Sequence, residues 1–381
     1  MIQECKYCKS RRSRFFCNAH DILHGLSADR FPYYRCTSCG CIFRESSNQE
    51  DSSVYYPKDY APYIFSPTSV ESHSTDVKPN PEQPHARNTD GKPLAVAKSG
   101  QGKRWGLGRL ADPKRRRKWI RDEAQRLKIR AQQRLNRQAP DIYSIAANAI
   151  QAGDKVCDFG CGSPRFLSKI QELVGGIRLT GVDFVEHDAR AFEAIGASFM
   201  PADKFWDSDE TYGLINMNHV LEHIPDPDAF LLRIRGKLAP GGYLLIATPN
   251  AQSLWAKIFS RCWFALDCPR HINIPSLSSL LTITGRLNYK VEISALQFKY
   301  NDFSRSLLSL QCEQSSSSYQ ERLESLYGSK DSIKLQRAKQ KELAFLKDLF
   351  MIRLWFIGSA VSRLWEGSDR IILLLSSKDF S

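Results

Sequence analysis

Two cysteine pairs, Cys5-Lys-Tyr-Cys8 and Cys36-Thr-Ser-Cys39, stand 27 residues apart near the amino end. Thiolates spaced by two residues can converge on one tetrahedral Zn²⁺, and two such pairs close its shell. Closing the intervening loop costs on the order of 3 kcal/mol plus a constant, against roughly 10–16 kcal/mol from a structural zinc. A shell closed by Cys5, Cys8, Cys36 and Cys39 has no open position, so metal here serves folding and not catalysis. Cys17, His20, His24 and Cys41 are reserve ligands.

A second constellation begins at Val156-Cys157-Asp158-Phe159-Gly160-Cys161-Gly162-Ser163-Pro164. A short apolar strand runs into G-x-G, where Gly160 and Gly162 carry no Cβ and the backbone can pass close beneath a ligand. The helix that follows turns free N–H groups toward a negative group. Taken alone the glycines suit a dinucleotide equally well. Asp158 shifts the balance, because a carboxylate before the glycines holds an ammonium and repels a diphosphate. Asp183 ends the next strand, followed by Phe184, and is placed for ribose hydroxyls. Asp203 follows the third strand and can accept from an adenine amino group. Ammonium, ribose and adenine are the three handles of S-adenosylmethionine.

In order, Asp158–Gly162, Gly181–Asp183, Asn218-His219-Val220-Leu221-Glu222-His223-Ile224, and Leu238–Gly242 through Thr248-Pro249-Asn250 resemble the motifs of class I SAM-dependent methyltransferases. Pro269-Arg270-His271-Ile272-Asn273 resembles a further segment of one branch. Members of that branch often carry an N-terminal zinc ribbon and act on small molecules in sugar, polysaccharide or secondary-metabolite pathways. The resemblance covers residues 1–60 loosely and about 140–298 well. It implies S-adenosylmethionine as cofactor, with Cys161, Asn218 and His219 joining the residues above, and structural Zn²⁺. One departure is Pro164, where the family usually has a small residue, often glycine; it predicts a tilted helix start or weaker cofactor binding.

Methyl transfer from a sulfonium is an in-line displacement, so positioning supplies much of the acceleration. A hydroxyl acceptor also needs a base for its proton. His271 is the first candidate, because it follows Pro269 in a loop expected to roof the pocket. His223 is the second, although its resemblance, with Glu222, is to a position that shapes the cofactor pocket. Trp255, Phe259, Trp263, Phe264 and Tyr300 fit either an acceptor pocket or a core.

The elements that must position these groups alternate strand and helix from about Lys114 onward. Val156–Phe159, Leu179–Val182, Ser198–Met200, Gly213–Asn218 and Tyr243–Thr248 read as strands, completed by Val291–Leu296 and Ile371–Leu375. Such alternation predicts an α/β fold, a doubly wound, seven-stranded, mostly parallel sheet. Residues 1–45 are the expected zinc ribbon and 46–113 a flexible Pro/Ser-rich linker. Residues 114–381 are the expected methyltransferase domain, with a basic helical arm at 114–138 and a helical insertion at 299–368.

The net charge of +13 sits mostly in that arm: residues 98–137 hold fifteen Lys/Arg against Asp112, Asp122 and Glu123. The arm is compatible with an anionic acceptor such as a nucleotide- or lipid-linked saccharide. It also suits an RNA or protein substrate gripped with the ribbon, or an anionic membrane surface. A non-catalytic SAM-binding protein is a further alternative. Leu343–Trp365 is interrupted by Lys347, Asp348, Arg353 and Arg363, which argues against a membrane span. With no leader at Met1–Ser10, the expected location is cytoplasmic, with peripheral contact at the membrane.

Overall fold

The computed structural model describes residues 4–45, 52–56, 113–137, 139–185, 187–314, 337–362 and 367–377. Seven strands form the main sheet: β4 (Lys155–Phe159), β5 (Arg178–Asp183), β6 (Ala197–Pro201), β7 (Tyr212–Asn218), β8 (Leu238–Pro249), β10 (Tyr289–Gln297) and β11 (Arg370–Ser377). Their order is β10-β11-β8-β7-β4-β5-β6, and every pair is parallel except the two that β11 makes. The central strands are apolar on both faces, as strands covered by helices on two sides must be. Strand order reverses between β4 and β7, and a crevice for ligands opens beyond the carboxyl ends there.

Among the described residues the α-helices are α1 (Pro113–Leu135), α2 (Ile142–Ala149), α3 (Arg165–Leu173), α4 (Ala189–Glu193), α5 (Ala202–Asp207), α6 (Pro227–Arg235), α7 (Leu254–Phe259), α8 (Leu277–Arg286), α9 (Tyr300–Gln314) and α10 (Arg337–Ser362). α9 and α10 belong to the insertion expected at 299–368. They close over α7 and bury Trp255, Phe259, Trp263, Phe303 and Trp355 together. Trp255, Phe259 and Trp263 are therefore core residues, because facing helices supply the apolar partners that a ligand would otherwise provide.

The amino-terminal strands β1 (Ser13–Ala19), β2 (Phe31–Cys36) and β3 (Ile42–Arg44) make a second, antiparallel sheet. Its fourth strand, β9 (Asn273–Ile274), begins at the end of the Pro269–Asn273 segment far along the chain. Cys5, Tyr7, Cys36, Cys39 and Phe43 share one hydrophobic cluster with Phe159, Met217 and Leu280. The ribbon thus sits on the main fold. The expected linker lies mostly outside the described residues, but Ser52–Tyr56 lies at the site, with Tyr56 Oη 2.9 Å from His223 Nδ1.

Candidate functional site

The turn after β4 is held by its glycines. Gly160 and Gly162 take positive φ of 71° and 55°, which a side chain would resist. A Cβ on Gly160 would also lie 2.5 Å from Val220 Cγ2. The Gly160 and Cys161 N–H groups both donate to Val182 O, at 2.7 and 3.0 Å. Pro164 precedes α3, and its carbonyl accepts from Ser168 N at 2.8 Å. Pro164 stands at the N-cap of α3, where its missing N–H is one that no internal helix bond would use.

Asp183 is 5% exposed, and its carboxylate is already engaged. Oδ2 accepts from Gly162 N at 2.7 Å, and Oδ1 from Phe184 N at 2.7 Å and Val185 N at 3.3 Å. His187 Nε2 lies 3.3 Å from Oδ2. The residue expected to meet ribose thus first staples the end of β5 to the glycine turn. Phe184 is exposed beside it, and Asp203 is exposed in the first turn of α5.

Asp158 is buried, and its Oδ1 accepts from Asn216 Nδ2 at 2.7 Å. Burial, reinforced by the Asp183 charge, pushes its carboxyl up to about 7. Asn216 Oδ1 is buried with no hydrogen-bond partner among the described residues. A buried carboxyl beside an unpaired carbonyl oxygen is a receptor that lacks a donor, and an ammonium supplies several. Asn216 escaped the sequence reading; its signal is an asparagine inside the apolar run Leu214-Ile215-Asn216-Met217, in register with Asp158.

Beyond β7 the chain places three histidines around Glu222, which is fully buried. His219, at φ 60°, sets Nδ1 2.9 Å from Glu222 Oε1, while Thr248 Oγ1 donates to Oε2 at 2.9 Å. Burial alone would raise the Glu222 pKa, but the His219 hydrogen bond and the histidine charges outweigh it and bring it to about 2. His223 is brought down to about 4, first by burial and then by the His271 charge. His271, the expected base, is only 6% exposed; its Nδ1 lies 2.8 Å from Ala265 O and its Nε2 3.9 Å from Glu222 Oε1. Its ring stands edge-on to His223, 4.6 Å between centroids. The side chain of His219 is 48% exposed, so it is the histidine of this group open to an acceptor.

Arg370 was also missed, because the sequence reading began the last strand at Ile371. Antiparallel β11 starts at the rim where the parallel strands end, and Arg370 donates there to Asn218 Oδ1. It is 8% exposed, and its Nε has no partner among the described residues. Lys299, brought down to about 8 by burial and the Arg370 charge, belongs to the same rim. A hollow of about 570 Å³ lies at the opposite end of the sheet, lined by Asp154, Arg178, Gly213 and Tyr243 among others. None of the candidate residues borders it.

At the ribbon, the sulfurs of Cys5, Cys8, Cys36 and Cys39 all lie within 4.8 Å of one another. The Cys5–Cys39 and Cys8–Cys36 separations are both 3.6 Å. Tetrahedral zinc with bonds near 2.3 Å needs about 3.8 Å, so the donor set and spacing fit. Cys41, one of the reserves, brings a fifth sulfur to 3.3 Å from Cys5. Cys17, His20 and His24 lie outside the group; Cys17 packs in the core and His20 Nε2 lies 3.5 Å from Glu313 Oε2.

The ribbon grips the histidine loop from above. Tyr33 Oη donates to His271 O at 2.9 Å, Arg44 Nε to Pro269 O at 2.9 Å, and Tyr7 Oη to Asn273 O at 3.0 Å. Arg270 reaches back to Asp21 Oδ1 at 2.8 Å while also bonding Asp267 Oδ1 at 2.8 Å.

Residues 127–293 match a family model described as a methyltransferase domain. Over that stretch the chain is similar to methyltransferase domains. Its seven strands form the Rossmann-like methyltransferase fold. A search of curated proteins found no match. Among solved structures, a coclaurine N-methyltransferase bound to N-methylheliamine and SAH is 19% identical, covering 62% of this chain and 69% of that one, with a TM-score of 0.38. A SAM-dependent methyltransferase from Geobacter sulfurreducens in complex with S-adenosyl-L-homocysteine is 16% identical, covering 65% and 98%, at 0.39. The cyclopropane synthase MmaA2 from Mycobacterium tuberculosis is also 16% identical, covering 61% and 82%, at 0.38.

Proposed function

We propose that the domain transfers a methyl group from S-adenosylmethionine to a hydroxyl or amine of a small acceptor, with His219 as the base. The observation that carries this reading is the His219–Glu222 pair at the carboxyl end of β7. A buried carboxylate bonded to Nδ1 fixes the ring's tautomer and orientation and leaves Nε2 to take a proton. His271 and His223 then act as the packed support of that carboxylate. Bound at the glycine turn, S-adenosylmethionine supplies an electrophilic methyl on a sulfonium. Asp158 with Asn216 would hold its ammonium, Gly160 to Gly162 would lie beneath it, and Asp183, Phe184 and Asp203 would frame the nucleoside. Arg370, held by Asn218, favours an acceptor with an anionic group, such as a nucleotide-linked or acidic saccharide.

Calorimetric titration with S-adenosylmethionine, S-adenosylhomocysteine and NAD tests the cofactor assignment. Micromolar binding of both sulfur compounds and none of NAD is expected; the reverse would overturn it. The affinity should depend on pH through Asp158. Only the ionised carboxylate attracts an ammonium, so S-adenosylhomocysteine binding should strengthen about tenfold per pH unit up to about 7 and level off above. The ligand-free protein should show the opposite trend. A raised folded pKa means that this group's contribution to stability is present below the ordinary carboxylate pKa and lost as pH rises to about 7. Asp158→Asn should flatten both profiles and weaken binding about tenfold or more.

We further propose that Cys5, Cys8, Cys36 and Cys39 hold zinc. Metal analysis should find a full equivalent in the purified protein. Cys36→Ser should lose it and Cys41→Ser should keep it; zinc loss only in the second variant would put Cys41 in the shell.

A further inference from the structure

The last of the described helices has two apolar faces, and the fold uses one. On α10, Ile352, Trp355, Ser359 and Ser362 are buried against the domain. On the opposite side Phe350, Leu354, Ile357 and Val361 are 63%, 44%, 61% and 45% exposed. Their spacing of four, three and four residues places all four within about 60° of the helix circumference. From Phe350 to Ser362 the sole charged residue is Arg353. A stripe of this kind left in water is unfavourable unless something covers it.

The neighbouring helix indicates what does. α1 packs along α10, with the Arg134 guanidinium 5.8 Å from the Phe356 ring centroid. α1 carries ten Lys/Arg against two acids, Asp122 and Glu123. Arg126, Arg130 and Arg134 are exposed on it, and so is Ile129. A second copy of the chain laid on the stripe would bring one basic helix toward another. An anionic lipid surface satisfies both features at once: headgroups meet the arginines, and the acyl boundary takes Phe350, Leu354, Ile357 and Val361. No helix among the described residues is long and apolar enough to cross a membrane. We propose that α1 and α10 together form a docking face for anionic lipid bilayers, with α10 lying in the interface plane.

Co-sedimentation of the full chain with phosphatidylcholine vesicles, with and without phosphatidylglycerol, tests this. Binding is expected with phosphatidylglycerol and should weaken steeply with added salt. Phe350→Glu/Ile357→Glu and Arg126→Glu/Arg130→Glu should each lower the partition coefficient about tenfold or more. The gentler Phe350→Gln/Ile357→Gln should lower it in the same direction, and Lys169→Glu on α3 should leave it unchanged. Retained S-adenosylhomocysteine binding shows that each variant is folded; a fold check by circular dichroism serves if the cofactor reading itself fails. Failure of the wild type to bind anionic vesicles overturns the proposal, as do variants that bind like it. So does a dimer that forms without lipid and is broken by the same substitutions, for then a second copy covers the stripe.

Discussion

Asp183→Ala is expected to weaken S-adenosylhomocysteine binding by about a hundredfold or more. The carboxylate accepts from Gly162 N and Phe184 N, both at 2.7 Å, in a site only 5% exposed. Hydrogen bonds to a charged group contribute about 1.5–3 kcal/mol each. Losing two removes roughly 3 kcal/mol or more from the closed geometry of the turn, about two decades of affinity. The loss comes through the turn even if the carboxylate never touches the ligand, because that carboxylate holds the Gly162 N–H while the residue sits at φ 55°. Asp183→Asn separates the two roles. An amide oxygen can still accept from Gly162 N, so the turn is retained while the negative charge is gone. Weak loss in Asp183→Asn with severe loss in Asp183→Ala would identify a staple. Equal and severe loss would identify a ligand contact that depends on charge. Wild-type affinity in both would mean that the end of β5 does not border the site.

The parallel sheet was legible because its signals are local. Val156-Cys157-Asp158-Phe159 is an apolar run ended by glycine, and the helices between strands carry their own caps. Asp158, Asp183 and Asp203 could be named because each stands near or just past the carboxyl end of a strand, where ligands bind in open α/β sheets. What was illegible depends on pairings across long stretches of chain. β9 is two residues long and exists only because β3, some 230 residues earlier, lies beside it. Nothing in Pro269–Asn273 announces that partner, so neither the burial of His271 nor the ribbon's hold on its loop could be read there. The direction of His219 likewise rests on a positive φ that no side-chain pattern reveals. Tyr56, inside a stretch of linker composition, lies 2.9 Å from His223 through a contact spanning 167 residues.

The junction that makes ribbon and site one unit should be the most sensitive point in the fold, and Arg270→Ala probes it. Arg270 is fully buried between Asp21 of the ribbon and Asp267 of the histidine loop, and it also donates to Tyr55 O at 2.9 Å. Its removal leaves two buried carboxylates without their cation, a change that costs about 3–5 kcal/mol. The melting temperature should fall on the order of 10 °C, read by scanning calorimetry at neutral pH. The sign with pH follows from Asp267. Burial would raise its pKa, but the Arg270 charge, followed by that of His271, outweighs burial and lowers it. Its contribution is therefore present above the ordinary carboxylate pKa and lost as pH falls through the lowered value. In Arg270→Ala the cation is gone, so the deficit should shrink as the medium is acidified and Asp267 is protonated. Arg270→Lys should recover little, since one ammonium cannot reproduce a planar fork that bonds both carboxylates. An unchanged melting temperature would show that Tyr7, Tyr33 and Arg44 suffice to seat the loop, and that the buried network serves another end.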